Sequence, residues 1–219
     1  MTDVPIKDAA TVIILREMRA GPSVLMGQRG SKAVFMPGKF VFPGGAVDAN
    51  DAQINVTGLP DQTAKRLAEE SSLTPHSVAA AAVRELWEET GQILGATGTW
   101  DNPPQGWRGF AATGHIPAAP FEMFFRAVTP QGRPRRFDAR FLLADADNLK
   151  TDPDDFSNAE DELSHLQWVA LTDALDYDLP FITKVVLAEL RAYVDGDRVV
   201  TSVPFFRNND EDHHVSRIG

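Results

Sequence analysis

The run Arg84-Glu85-Leu86-Trp87-Glu88-Glu89-Thr90-Gly91 constrains this chain more than any other stretch. It sets three carboxylates within five residues and stops at a glycine. On a helix, positions three and four apart share a face, so Glu85, Glu88 and Glu89 line one narrow stripe. Like charges at that spacing repel by about a few tenths of a kcal/mol per pair. Arg84, four residues before Glu88, offsets part of that cost. A divalent cation offsets far more, because hard oxygen ligands suit Mg²⁺, Mn²⁺ or Ca²⁺. The plain alternative is a solvated acidic helix face. The lead-in supports a helix: Thr74 suits an N-cap and Pro75 the first helical position. From there Val78, Ala79, Ala82, Val83, Leu86 and Ile93 form an apolar stripe, with the glutamates about a quarter-turn away. Gly91 reads as a C-cap. The spacing therefore predicts a helix that buries one side and presents carboxylates at the edge of that side, where a cleft can lie.

Upstream, Ala10–Arg16 is a β-branched run and reads as a buried strand. Ser23–Arg29 reads as the second strand of a hairpin after the turn at Gly21-Pro22. Gly30–Lys39 is a loop, and Phe40–Gly45 a brief strand entering a double-glycine turn. Gly44 and Gly45 permit close approaches that a side chain would block. Gln62–Ser72 has helical spacing. Downstream, Trp100–Gly114 reads as loop, Ala119–Thr129 as strand or helix, Arg136–Ala144 as a strand and Asp145–Glu162 as an acidic loop. Leu163–Val169 reads as a strand, Thr172 as the cap of a short turn and Pro180–Val194 as an amphipathic helix. A further apolar piece spans Val199–Phe206. The tail, about 207–219, is expected to be disordered, with the pair His213 and His214 inside it. His76 and His165 are expected at the surface.

A chain of 219 residues suits one enlarged domain. Its net charge of −10 argues against a nucleic-acid backbone as partner. It also means that a phosphate ester needs cations to approach. There is no cysteine, hence no disulfide, thiolate metal site or thiol nucleophile. The polar N-terminus does not read as a signal peptide, and no apolar run approaches the roughly 18 residues of a membrane span. The expectation is a cytoplasmic protein without membrane or nucleic-acid partners, with a homodimer left open.

Phe42-Pro43-Gly44-Gly45, followed by the Arg84–Gly91 helix, resembles the Nudix box. That signature runs G, five residues, E, seven residues, then R-E-U-x-E-E-x-G-U, where U is bulky and apolar. Arg84, Glu85, Leu86, Glu88, Glu89 and Gly91 fit its second half. Gln92 stands at the last apolar position, beside Ile93, and departs from it. In the first half Asp51 stands where glutamate is expected, and 32 residues separate it from Arg84 instead of seven. An insertion inside the box resembles one branch of the superfamily, which includes peroxisomal coenzyme A diphosphatases. Phe35-Met36-Pro37-Gly38, Val47-Asp48 with Asp51, the Arg135–Phe141 strand, and Glu162 six residues before Trp168 point the same way.

The resemblance implies a single Nudix-type α/β/α sandwich with a mixed sheet, over residues 1–219, with a helical insertion at about 52–77. The insertion is expected at a substrate cleft or subunit contact. The resemblance implies metal-dependent hydrolysis of a diphosphate linkage in a small molecule, with Mg²⁺ or Mn²⁺ as cofactor. Glu85 and Glu89 are the leading metal ligands, Glu88 stands beside them as ligand or catalytic group, and the Gly45 carbonyl completes the set. Gly44, Arg84 and Gly91 take structural roles. Glu162 is a candidate general base or extra ligand, against the alternative of a solvated loop acid. Arg29, Arg136 and Arg140 are candidates to grip phosphates, against the alternative of ordinary ion pairs. The leading substrate is coenzyme A or an acyl-CoA, with Phe121, Phe124 and Phe125 available as apolar walls. The alternatives are ADP-ribose, NADH or a nucleotide sugar, or a non-catalytic nucleotide-sensing module on the same fold.

Overall fold

A computed structural model describes residues 4–31, 33, 36–208 and 213–219. Phe35 and the side chains of His213 and His214 lie outside the described residues. The strands are β1 (Ile6–Met18), β2 (Gly21–Arg29), β3 (Phe40–Val41), β4 (Gly44–Ala46), β5 (Gly95–Thr97), β6 (His115–Pro117), β7 (Glu122–Val128), β8 (Arg136–Asp145), β9 (Leu163–Ala170), β10 (Val203–Asn208) and β11 (His213–Ile218). The helices are α1 (Asp61–Ala68), α2 (Pro75–Thr90), α3 (Arg108–Ala112) and α4 (Phe181–Asp195).

The fold is mixed α/β, built on one large sheet. Its strands run β11-β10-β7-β8-β1-β2-β3, while β4 joins β1 and β9 joins β2. β1 runs parallel to β8 and β10 parallel to β7, and the remaining pairs are antiparallel. The order follows from burial. Val12, Ile13 and Ile14 are all buried, so β1 is covered on both faces, as its unbroken apolar run requires. α2 packs against β1 and β4. α4 gives Val186, Leu187 and Leu190 to the same core, and its Tyr193 meets Phe124 edge-on at 5.7 Å.

Several expectations are corrected. Phe40–Gly45 is two short strands, because after Val41 the chain leaves β2 and pairs with β1 instead. The Trp100–Gly114 stretch contains α3, and its aromatic residues are core rather than loop surface: Trp107 and Phe110 are fully buried. Thr172 does not cap a helix; its hydroxyl bonds Asp173 at 2.7 Å, one residue before a short 3-10 turn. The disordered tail is also corrected for its described residues. β11 pairs with β10 from Val203↔Ile218 to Asn208↔His213, and Ile218 enters the core.

The insertion is packed rather than idle. Ile54, Val56 and Leu67 are in the core, and the Thr63 hydroxyl donates to the Phe121 carbonyl at 2.8 Å. Arg66 is buried and donates to the carbonyls of Val200 (2.7 Å) and Gly219 (3.3 Å). These contacts tie the insertion to β7 and the C-terminal segment. Its position therefore follows from closing the core.

Candidate functional site

α2 forms as its sequence requires. Thr74 accepts a bond from the Ser77 amide at 3.2 Å, and Pro75 takes the first turn, where an amide has no partner to lose. Gly91 ends the helix in the left-handed region at φ 73, which a side chain resists. The last two turns of α2 face β4. Glu89 Oε2 accepts the Gly44 amide at 2.7 Å. A Cβ on Gly45 would stand 2.5 Å from the Glu85 carboxylate, so Gly45 is needed for that carboxylate to lie against the strand.

Arg84 organises the near side. Its Nε and Nη2 grip Asp51 bidentately at 3.0 and 2.9 Å, Nη1 reaches Glu85 at 2.8 Å and Glu88 at 2.9 Å, and Nη2 reaches the Ala46 carbonyl at 3.0 Å. Burial works against the guanidinium's charge, yet Asp51, Glu85 and Glu88 together raise its pKa above the ordinary arginine value. Asp51 is wholly buried and also accepts the Trp107 indole N–H at 3.0 Å and the Asp48 amide at 2.9 Å. The sequence placed Asp51 by spacing but missed Trp107. The usable signal was that a buried indole N–H needs an acceptor.

The carboxylates themselves are poorly solvated. Burial pushes Glu85 up to about 7, against the lowering pull of Arg84, and the charges of Glu88 and Glu162 add to the rise. Burial also raises Glu88 and, well above the ordinary range, Glu89; Glu89 is 2% exposed and its Oε1 has no partner. Among the described residues no set of three or more acidic or histidine side chains is already gathered as a metal cage. Glu85 and Glu88 lean on Arg84, and Glu89 leans on Gly44. An unpartnered, buried carboxylate oxygen beside a second desolvated carboxylate is nonetheless a donor set that fits a hard cation.

Glu162 opens the far side. Its side chain is 56% exposed and holds Arg29 at 2.9 Å, next to the β2–β9 pairing of Arg29 with Leu163. Its charge reaches both Glu85 and Glu89, and that of Arg29 reaches Glu89. The structure thus brings together Arg29, Gly44, Gly45, Arg84, Glu85, Glu88, Glu89 and Glu162. It does not bring in the other two arginines, and their phosphate-gripping expectation is corrected. Arg140 is 1% exposed and pairs with Asp8 and, at 3.4 Å, with Asp138. Arg136 is buried, and its Nε donates to the Thr129 carbonyl in the β7–β8 connection at 3.1 Å. Both guanidiniums are enclosed where the alternating pattern of β8 could not reveal a partner.

The raised Glu85 pKa makes a stability prediction for metal-free protein. The native state holds a proton that the unfolded chain releases near pH 4.5. This contribution to stability is whole below that pH and is lost as pH rises through about 7. Glu85→Gln should therefore flatten the stability–pH curve, by roughly 1–3 kcal/mol across that window. Urea denaturation in EDTA at several pH values checks it; parallel curves for the two proteins would contradict it.

Comparisons with known proteins agree with this geometry. The family model described as NUDIX domain matches residues 5–190. The chain is 29% identical over 186 residues to a Caenorhabditis elegans protein named nudix hydrolase 7, which covers 78% of this chain and 53% of that protein. The chain thus spans about half the length of that curated relative. The crystal structure of a NUDIX hydrolase from Alicyclobacillus acidocaldarius is similar at a TM-score of 0.64 and 26% identity, over 88% of this chain and 93% of that one. A MutT NUDIX hydrolase from Burkholderia pseudomallei is similar at a TM-score of 0.50 and 19% identity, over 85% and 98% of the two chains, a likeness of fold alone.

Proposed function

Because the chain belongs to the NUDIX domain family, we propose that it hydrolyses the diphosphate linkage of a small molecule with a divalent cation held by the α2 carboxylates. One observation carries the reading: the buried Glu89 carboxylate has an unpartnered oxygen at the Gly44–Gly45 turn, beside Glu85. Such a group costs several kcal/mol to bury as an anion unless something positive meets it. Glu85 and Glu89 would hold the cation, with Glu88 and the Gly45 carbonyl as further donors. When bound, Mg²⁺ or Mn²⁺ supplies charge neutralisation of the diphosphate and lowers the pKa of a coordinated water.

The chain's own residues divide the remaining work. Arg84 fixes the orientation of Glu85 and Glu88 through its two contacts and is itself anchored by Asp51. Glu162 is exposed enough to meet substrate and water, and it accepts the proton released as water attacks phosphorus. Arg29, whose side chain is 19% exposed beside Glu162, offers its guanidinium to a phosphate oxygen.

The substrate is read as a class: a diphosphate joining a nucleoside to another moiety. Coenzyme A remains within that class on the strength of the inserted box. Fewer of its expected cationic and apolar partners are within reach, however. Arg136 and Arg140 are enclosed, and Phe121, Phe124 and Phe125 are core residues, with Phe125 against Phe141 and Phe206. The test is a panel of coenzyme A, acyl-CoA, ADP-ribose, NADH and nucleotide sugars with Mg²⁺ or Mn²⁺, with products identified by mass. The expected result is cleavage between the two phosphates, abolished by EDTA. Release of 4′-phosphopantetheine with the highest kcat/KM selects coenzyme A, and ribose 5-phosphate with AMP selects ADP-ribose. Tight nucleotide binding without cleavage would make the protein a sensing module instead.

A further inference from the structure

Gln92 sits where the box pattern calls for a bulky apolar residue, and it is fully buried. A buried amide is costly unless its bonds are made. Here they are made, all to one segment. Nε2 donates to the carbonyls of Asp155 at 2.9 Å and Asp152 at 3.2 Å, and Oε1 accepts the Thr151 hydroxyl at 2.6 Å. The flanking backbone joins in: the Ile93 amide meets the Thr151 hydroxyl at 3.3 Å, and the Ile93 carbonyl accepts the Lys150 amide at 2.9 Å.

The segment so held runs from Thr151 to Glu162 and carries Asp152, Asp154, Asp155, Glu160, Asp161 and Glu162. Its charges repel each other and the carboxylates of α2, and two arginines offset part of that: Arg16 grips Asp154 at 2.6 and 3.0 Å, and Arg29 holds Glu162 at 2.9 Å. Uncharged contacts also hold it. A Cβ on Gly91 would come within 3.1 Å of Asn158, so the helix end lies tight against the loop. The Glu160 amide donates to the Glu88 carbonyl at 2.8 Å, and the Trp168 indole donates to the Pro153 carbonyl at 2.9 Å. Two residues beyond Glu160 stands Glu162.

We propose that Gln92 is a positioning residue: it clasps the acidic segment onto the end of α2, and the clasp delivers Glu162 to its place beside Glu85 and Glu89. The inference rests on the hydrolase reading of this site. An apolar residue at position 92 would leave the Asp155 carbonyl without its donor. It would also take one bond each from the Asp152 carbonyl and the Thr151 hydroxyl, which keep the amides of Asp155 at 3.1 Å and Ile93 at 3.3 Å, and so would loosen the loop.

The test is Gln92→Leu with Gln92→Met, which keeps length and flexibility but removes the amide, and Thr151→Val, which removes the bond to Gln92 and the one from the Ile93 amide. These variants and Glu162→Gln are measured for amide hydrogen exchange over 151–162, for kcat and KM, and for Mn²⁺ affinity. The expected result is exchange in that segment faster by about tenfold or more. Turnover should fall about 10- to 100-fold with KM changed little. Gln92→Leu with Glu162→Gln should turn over no more slowly than Glu162→Gln alone. Multiplying effects, wild-type exchange in the variants, or a Gln92→Met protein that behaves as wild type would overturn it. If Gln92→Leu does not fold, Gln92→Met and Thr151→Val decide. A wild-type protein without hydrolase activity would overturn the functional reading instead, and the same double-mutant comparison on Mn²⁺ affinity would then judge the clasp. A wild type that neither turns over nor binds Mn²⁺ would overturn both.

Discussion

Glu89→Gln is expected to lower turnover by on the order of 10²-fold or more while the fold survives. The Lewis-acid contribution at stake is several kcal/mol, and each 1.36 kcal/mol is tenfold in rate. Glutamine has nearly the same shape, and its carbonyl can still accept the Gly44 amide that Glu89 now accepts at 2.7 Å. What it lacks is a carboxylate that can ionise against a cation through the unpartnered Oε1. The thermal shift on adding metal separates ligand loss from misfolding. Wild-type protein should gain stability with Mg²⁺ or Mn²⁺, by roughly 2.7 kcal/mol at a hundredfold excess over Kd. The variant should melt cooperatively without that gain. Turnover within a few-fold of wild type, or an undiminished metal-induced shift, would remove Glu89 from the site.

Asp51→Ala should be the most destabilising single change near the box, at about 3–5 kcal/mol. Asp51 is fully buried, takes both arms of the Arg84 guanidinium and accepts the Trp107 indole. Without it, Arg84 remains charged and enclosed, because nothing in the protein can deprotonate it. Arg84 would also lose the anchor from which it reaches Glu85 and Glu88, so activity should fall with stability. Trp107→Phe removes one hydrogen bond from the same carboxylate and should cost less, about 1 kcal/mol. Asp51→Glu is informative because glutamate is the residue of the box pattern. Here it should destabilise by about 1–3 kcal/mol, since the added methylene has no room between Arg84 and Trp107. Urea unfolding of the metal-free variants measures all three; an Asp51→Ala protein within about 1 kcal/mol of wild type would refute the assignment.

Much of the fold was legible because its signals are local. The α2 helix announces both ends, Thr74 at one and Gly91 at the other, and both caps form as their side-chain chemistry dictates. The apolar runs of β1, β2 and β8 name themselves as strands, although β1 extends well beyond its apolar centre because neighbours pair with its polar ends. The split of Phe40–Gly45 into two strands was not legible. No local property of Pro43 or Gly44 reports which partner the next three residues will choose.

The sequence by itself determined the carboxylate stripe. Glu85, Glu88 and Glu89 share a face through helix geometry alone, and the repulsion among them follows from spacing. Only the tertiary structure decided what surrounds that stripe. Arg84 and Asp51 lie 33 positions apart, and Asp51 and Trp107 lie 56 apart. Their meeting depends on how the insertion closes over the core. Arg136 and Arg140 look as available as Arg29 in the sequence. Burial of β8 encloses the first two, while the end of β2 leaves Arg29 beside Glu162. A side chain's type fixes which bonds it can make, and packing fixes which partners come within reach and how much water remains to compete with them.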